Sequence, residues 1–307
     1  MGQRELARLL SRLERSPRLL QETLANLPPA PGPLQRIGFT GSPGVGKSTL
    51  LHAVIGELRE RGERVGVIAV DPTSPFSGGA LLGDRLRLAP QQDDEGVFIR
   101  SIGSRGSLGG ITPQASVIAG VLESAGYTRI LIETVGVGQT GYDVVSLADT
   151  VVALFSPEGG DGIQLIKAGI LELGDIFVVN KADRPGAETL LKEIEFSLAM
   201  EPAAAQGWQR PALSMVASSG QGAAALVDAM EAHGQWLATL PQEHPARQRR
   251  MQRELEFTLR SSVGALMDGE LRELLTALAG EVLSGSCSRW DAVARLRRAL
   301  AGQLARD

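Results

Sequence analysis

Between Leu34 and Arg61 the chain reads strand, glycine loop, helix. A short apolar run ends at Thr40, Gly41-Ser42-Pro43-Gly44-Val45-Gly46-Lys47-Ser48-Thr49 follows, and a helical stretch opens at Ser48. The loop satisfies G-x-x-x-x-G-K-[ST] without a departure, and it needs the strand before it and the helix after it. Few folds supply that setting. Glycines at 41, 44 and 46 let main-chain N–H groups turn inward around a polyphosphate, at a helix N-terminus that already favours anions. Lys47 brings a positive charge to the β- and γ-phosphates and is a catalytic candidate, while the Ser48 hydroxyl is a ligand for Mg²⁺. Gly41, Ser42, Pro43, Gly44, Val45, Gly46, Lys47, Ser48 and Thr49 are therefore expected to bind nucleotide.

From Leu34 to Leu240 apolar runs alternate with helical stretches. Candidate strands are Ile37–Thr40, Val65–Val70, Val97–Ile102, Ile130–Glu133, Thr150–Phe155, Ile176–Asn180 and Ala212–Val216. Each is short and continuously apolar, as strands covered on both faces are. The pattern predicts an α/β fold, a mostly parallel sheet with helices on both faces and functional loops at the carboxyl ends of the strands.

Those strand ends carry the remaining candidates. Asp71, before Pro72, faces the P-loop side and suits Mg²⁺ or its water, although a turn aspartate before proline is common. Asp84 is a second carboxylate in a glycine-rich loop, and a surface ion pair with Arg85 or Arg87 explains it equally well. Arg105 could reach phosphate or serve as a solvated loop arginine. Glu133-Thr134-Val135-Gly136 has the form of D-x-x-G with glutamate for aspartate. The acid would bind Mg²⁺ through water, the Gly136 N–H would sense the γ-phosphate, and Gln139 is a weak candidate to orient the attacking water. Asn180-Lys181-Ala182-Asp183 matches N-K-x-D after an apolar strand. The Asp183 carboxylate can accept guanine N1–H and the 2-amino N–H, a donor pair that adenine lacks, so the predicted nucleotide is GTP or GDP. Lys181 would lay its stem along the base, and Asn180 would tie this loop to the P-loop. The turn after the last strand has Val216 where serine is expected, but the Ala217 N–H could still meet the base oxygen.

The ends of the chain read as helical arms, giving segments 1–33, 34–240 and 241–307. Leu6, Leu9, Leu10 and Leu13 recur at helical spacing, Ser16-Pro17 opens a second helix through Leu27, and prolines from 28 to 33 form a stiff linker. The simplest expectation for the leucine stripe is docking on the central domain. Beyond Pro245, arginines at 247, 249, 250 and 253 lie on a helix, with Leu255, Leu259, Val263 and Leu266 at helical spacing; a break is expected at Ser284–Ser288. With a net charge of −4, no overall basic field points to nucleic acid or an acidic membrane surface. One cysteine, the lack of a secretion-type apolar core at the start, and no apolar run near spanning length predict a cytoplasmic protein.

Together these motifs resemble the methylmalonyl-CoA mutase-associated GTPases of the MeaB type, once described as lysine/arginine/ornithine transport kinases. The resemblance runs over nearly the whole chain. It rests on residues 41–49, Val70-Asp71-Pro72-Thr73-Ser74-Pro75-Phe76, the stretch from Gly78 to Arg85, Glu133 to Gln139, and Ala168-Gly169-Ile170-Leu171-Glu172. It implies a GTPase chaperone that protects, loads or reactivates an adenosylcobalamin-dependent acyl-CoA mutase, commonly as a homodimer through the C-terminal arm. Asp71, Asp84 and Glu133 become the metal and switch acids by the same resemblance. The segment Pro157 to Lys167, with Glu158, Asp161, Gln164 and Lys167, looks like the loop through which such proteins communicate with the mutase. The chain departs from the family pattern at Ser107, often histidine, and at Thr140-Gly141, more usually Ser-Glu. A nickel metallochaperone GTPase and a kinase for a periplasmic transport protein are the alternatives. The first needs Cys/His ligands, and Cys287, His52, His233 and His244 are scattered.

Overall fold

Each of the seven apolar runs forms a strand at or within a residue or two of its expected place. They are β1 (Gln35–Gly41), β2 (Val65–Asp71), β3 (Val97–Gly103), β4 (Arg129–Thr134), β5 (Thr150–Phe155), β6 (Ile176–Asn180) and β7 (Ala212–Met215). Helices are α1 (Gln3–Leu13), α2 (Lys47–Glu60), α3 (Pro113–Ser124), α4 (Ala187–Ala199), α5 (Ala223–Thr239), α6 (Pro245–Asp268), α7 (Arg272–Leu283) and α8 (Arg289–Leu304). The computed structural model describes residues 2–13, 19, 23, 34–71, 94–103, 113–134, 144, 146–159, 170–200, 207–241, 243–269 and 271–304. The expected second N-terminal helix and the proline linker lie outside the described residues. Two compact units divide the chain, Met1–Arg253 and Glu254–Asp307.

In the first unit the strands form one sheet in the order β3-β2-β4-β1-β5-β6-β7. Every pairing is parallel, for example Phe39 opposite Glu133 and Phe155 opposite Val179. Strand periodicity sends alternate side chains to opposite faces. Val152, Leu154, Ile176 and Val178 join Leu50, Leu51, Val54, Ile55 and Leu58 of α2 and Leu226, Val227 and Met230 of α5. Ala153, Phe155, Phe177 and Val179 pack instead with Leu190 and Ile194 of α4. Both faces are covered, which is why the strands read as unbroken apolar runs. Each of the large aliphatic side chains of α2 contributes about 1.5–3 kcal/mol by leaving water.

The leucine stripe of α1 docks as expected: Leu6, Leu10 and Leu13 are buried. Gln3 Nε2 donates to the Val97 carbonyl at 2.9 Å, and Arg100 Nη2 donates to Ser11 Oγ at 3.1 Å. Both contacts lie on β3, the sheet's edge strand, so α1 shields backbone groups that an exposed edge would offer to another chain. In the second unit, Ser288 caps α8 by accepting the Asp291 N–H, and Arg295 pairs with Glu281 of α7 at 2.6 Å. The 284–288 break falls between α7 and α8.

A polar cluster lies at the amino ends of the strands, opposite the P-loop. Gln35 Nε2 donates to Thr150 Oγ1 at 2.8 Å and to the Met230 carbonyl at 2.6 Å, and Thr150 Oγ1 meets His233 Nδ1 at 2.8 Å. His233 packs against both Trp208 and Trp236, with ring centroids 4.9 and 5.4 Å away. Burial pushes its pKa down to about 4. Its contribution to stability is complete above the unfolded value near 6.5 and is lost as pH falls toward 4. Asp175 accepts the Val151 N–H through Oδ2 at 2.8 Å, and burial pushes its pKa up to about 6. About a quarter of that side chain, 26%, still reaches solvent, which softens the effect. For this acid the sign reverses, because ionising it in the folded state is unfavourable. Asp175→Asn keeps an oxygen for the Val151 N–H and removes the charge. Its stability relative to the parent should rise as pH climbs from about 4 to about 6 and keep that gain above. Urea midpoints across pH measure this, and two parallel curves would clear Asp175 of the cost.

Candidate functional site

The sheet order creates a crevice at the carboxyl ends of β1 and β4. These strands are neighbours, yet β1 leads to β2 on the far side of β4, and β4 leads to β5 on the far side of β1. Connections leaving in opposite directions open a cleft between two strands, the usual ligand position in such sheets. The P-loop lies there, between β1 and α2. Gly41, at φ 153°, leaves no room for a side chain, because a Cβ would lie 2.6 Å from the Leu154 carbonyl of β5. Lys47 is 8% exposed and folds back over the loop, its Nζ donating to the carbonyls of Gly41 at 2.8 Å and Ser42 at 3.0 Å. Ser48 Oγ donates to Glu133 Oε1 at 2.8 Å, and Glu133, from β4, is 7% exposed. The geometry thus joins the P-loop hydroxyl to the acid of the E-x-x-G motif, 85 residues on. Two hard oxygens beside a helix N-terminus are the donor type that Mg²⁺ takes.

The second loop lies at the end of β6 and is locked to the first. Asn180, 2% exposed, donates from Nδ2 to the Val45 carbonyl at 2.8 Å and accepts the Ala217 N–H on Oδ1 at 3.1 Å. One amide therefore holds the P-loop, the N-K-x-D loop and the turn after β7. Gly46 makes this possible: at φ 96° it caps α2, and a Cβ there would lie 2.4 Å from Asn180 Nδ2. Any side chain would push the two motifs apart, besides the roughly 1–2 kcal/mol that a left-handed backbone costs other residues. Lys181 is the non-glycine residue with positive φ, 57°, among those described. Such strain collects at functional sites. The Ala182 N–H donates to the Met215 carbonyl at 3.0 Å and helps to hold the loop in place. Asp183 is half-exposed, with its side chain 53% exposed and Oδ2 3.6 Å from Arg184 Nε.

Other expected positions are less complete. Asp71 ends β2, with its backbone paired to Gly103, but its side chain lies outside the described residues. Asp84, Arg105, Gly136, Gln139 and residues 160–167 also lie outside them. The described part of the 157–167 segment, Pro157–Gly159, is one short 3₁₀ turn after β5. Glu158 pairs within the chain: Oε2 is 2.6 Å from Lys181 Nζ, and Oε1 is 3.5 Å from Arg184 Nε. Lys181's ammonium holds the Glu158 carboxyl below the usual carboxylate range. Sequence reasoning missed this contact, which needs the knowledge that β5 and β6 are adjacent.

Asn180→Ala tests the lock. It strips partners from the Val45 carbonyl and the Ala217 N–H, and leaving both groups unpaired is expected to cost about 2–4 kcal/mol in urea unfolding. An unchanged unfolding midpoint would mean that the two loops are held by other contacts.

Comparison with known proteins agrees with this geometry. The family model described as Methylmalonyl Co-A mutase-associated GTPase MeaB matches residues 6–270. An inferred GTPase of Pyrococcus abyssi is 40% identical over 271 residues, which are 88% of this chain and 84% of its own. The mouse protein named methylmalonic aciduria type A homolog, mitochondrial, is 38% identical over 198 residues, 64% of this chain and 48% of its own. A solved structure described as LAO/AO transport system kinase superposes with a TM-score of 0.65 at 25% identity, covering 96% of this chain and 92% of its own. With the guanine-type loop hydrogen-bonded to the P-loop and the family matched from residue 6 to residue 270, this chain is a P-loop GTPase of the methylmalonyl-CoA mutase-associated (MeaB) family.

Proposed function

We propose that this GTPase serves an adenosylcobalamin-dependent acyl-CoA mutase, such as methylmalonyl-CoA mutase, as a nucleotide-gated chaperone that protects, loads or reactivates it. The family match over residues 6–270 carries this reading, because mutase association is what that family's description states. The likeness to the mouse methylmalonic aciduria protein supports it.

The residue roles in this reading are these. Residues 41–49 wrap the phosphates with main-chain N–H groups, and Lys47 exchanges its hold on the Gly41 and Ser42 carbonyls for phosphate oxygens. That contact strengthens as charge builds toward the transition state. Ser48 and Glu133 would hold Mg²⁺, with Asp71 and Asp84 as further acids; the ion offsets charge on the β- and γ-oxygens when bound. Gly136 would sense the γ-phosphate, and Gln139 would orient water. Asp183 reads guanine while the Lys181 stem covers the base. The Ala217 N–H, which donates to Asn180 Oδ1, lies at the turn that would face the base oxygen.

In the same reading, residues 1–33 are the N-terminal arm, docked through α1, 34–240 the GTPase domain and 241–307 a dimerisation arm. Exposed apolar side chains in the second unit support a homodimer, notably Leu255, Leu259, Leu283 and Trp290. No described helix is long and apolar enough to cross a membrane. Cytoplasm is the proposed location, in agreement with the single cysteine.

The test is capture of the host's cobalamin-dependent acyl-CoA mutase by this protein loaded with GDP or with a non-hydrolysable GTP analogue. A complex whose affinity differs between the two states is expected, and coupling requires that the mutase shift GTP affinity by the same factor. No complex in either state would leave a GTPase with another client.

A further inference from the structure

Glu158 and Arg184 belong to a charged cluster that borders the proposed guanine reader, and no nucleotide role given above uses them. β5 and β6 run side by side with Phe155 opposite Val179, so the residues just beyond each strand meet. Pro157 lies against Gly186, the N-cap of α4: a Cβ on that glycine would be 3.6 Å from Pro157 Cβ. The next residue, Glu158, places its two oxygens on two cations. Oε2 takes Lys181 Nζ at 2.6 Å, and Oε1 is 3.5 Å from Arg184 Nε. The same Arg184 Nε is 3.6 Å from Asp183 Oδ2. The guanidinium thus stands between two carboxylates at nearly equal distance, and one of them is the proposed base reader.

From this arrangement we infer that Glu158 is a positioning residue for guanine recognition: by holding Lys181 and sharing Arg184, it keeps the Arg184 guanidinium from closing fully on Asp183. The inference rests on the guanine reading of Asp183. A carboxylate can accept the two guanine N–H donors only while its acceptor sites are open, and a guanidinium fork would occupy the same sites. Glu158 also restrains a lysine whose backbone is already in the left-handed region, at φ 57°.

The experiment follows dissociation of a fluorescent GDP analogue, with Mg²⁺, from the full chain. Glu158→Gln keeps size and removes charge, and it should speed release about three- to tenfold, the range of half-exposed ion pairs acting together. The effect should shrink as salt is raised, since exposed charges are screened. Adding Arg184→Gln to Glu158→Gln removes the cation that would invade Asp183 and should return most of the lost residence time. A generally damaged fold would show no such rescue. Release from Glu158→Gln at the parent's rate, or no recovery in the double variant, would overturn the proposal while leaving guanine binding in place. A parent that holds GDP and ADP alike would overturn the guanine reading itself, and this inference with it.

Discussion

The site depends on one side-chain amide. Asn180 spans the Val45 carbonyl of the P-loop and the Ala217 N–H of the turn after β7, so three segments far apart in sequence share one buried residue. Its value comes from burial. In water those bonds would be exchanged for others at little gain, but at 2% exposure either group left alone meets an apolar surround at a cost of roughly 1–3 kcal/mol. Gly46 is the complementary constraint, since only a missing Cβ lets the amide come so close. The P-loop, the N-K-x-D loop and the turn after β7 are thereby hydrogen-bonded into one frame.

The rest of the fold sets that frame. Parallel pairing brings the ends of β1, β4, β5, β6 and β7 to one edge, and the reversal of connections at β1 and β4 opens the cleft where Ser48 meets Glu133. Apolar packing on both faces fixes the strand positions, so the loops inherit their spacing from the core. Backbone strain appears in the N-K-x-D loop, at Lys181, while the acid and histidine whose titration burial shifts most, Asp175 and His233, lie at the opposite end of the sheet.

Much of this was legible in the chain itself. Local signals did best: continuous apolar runs at Val65–Val70 or Ile176–Asn180 have no other stable use than a doubly covered strand, and the two nucleotide motifs name their own neighbours. The link from Asn180 to the P-loop was also foreseen, because N-K-x-D has a purpose only beside bound phosphate. Contacts between strand ends were not legible. Glu158 with Lys181 requires β5 and β6 to be adjacent, and the guard at β3 by Gln3 and Ser11 requires β3 to be the edge; neither is encoded in any local period. His233 read as one of three scattered histidines, since only tertiary packing places it against two tryptophans.

Isothermal titration of the full chain with GDP and with ADP, both with Mg²⁺, addresses the joined phosphate-and-guanine frame most directly. Asp183 on a loop fixed to the P-loop predicts GDP binding at least about a hundredfold tighter than ADP, since the wrong base leaves the reader's acceptors unpaired. Equal affinity for the two nucleotides would contradict it.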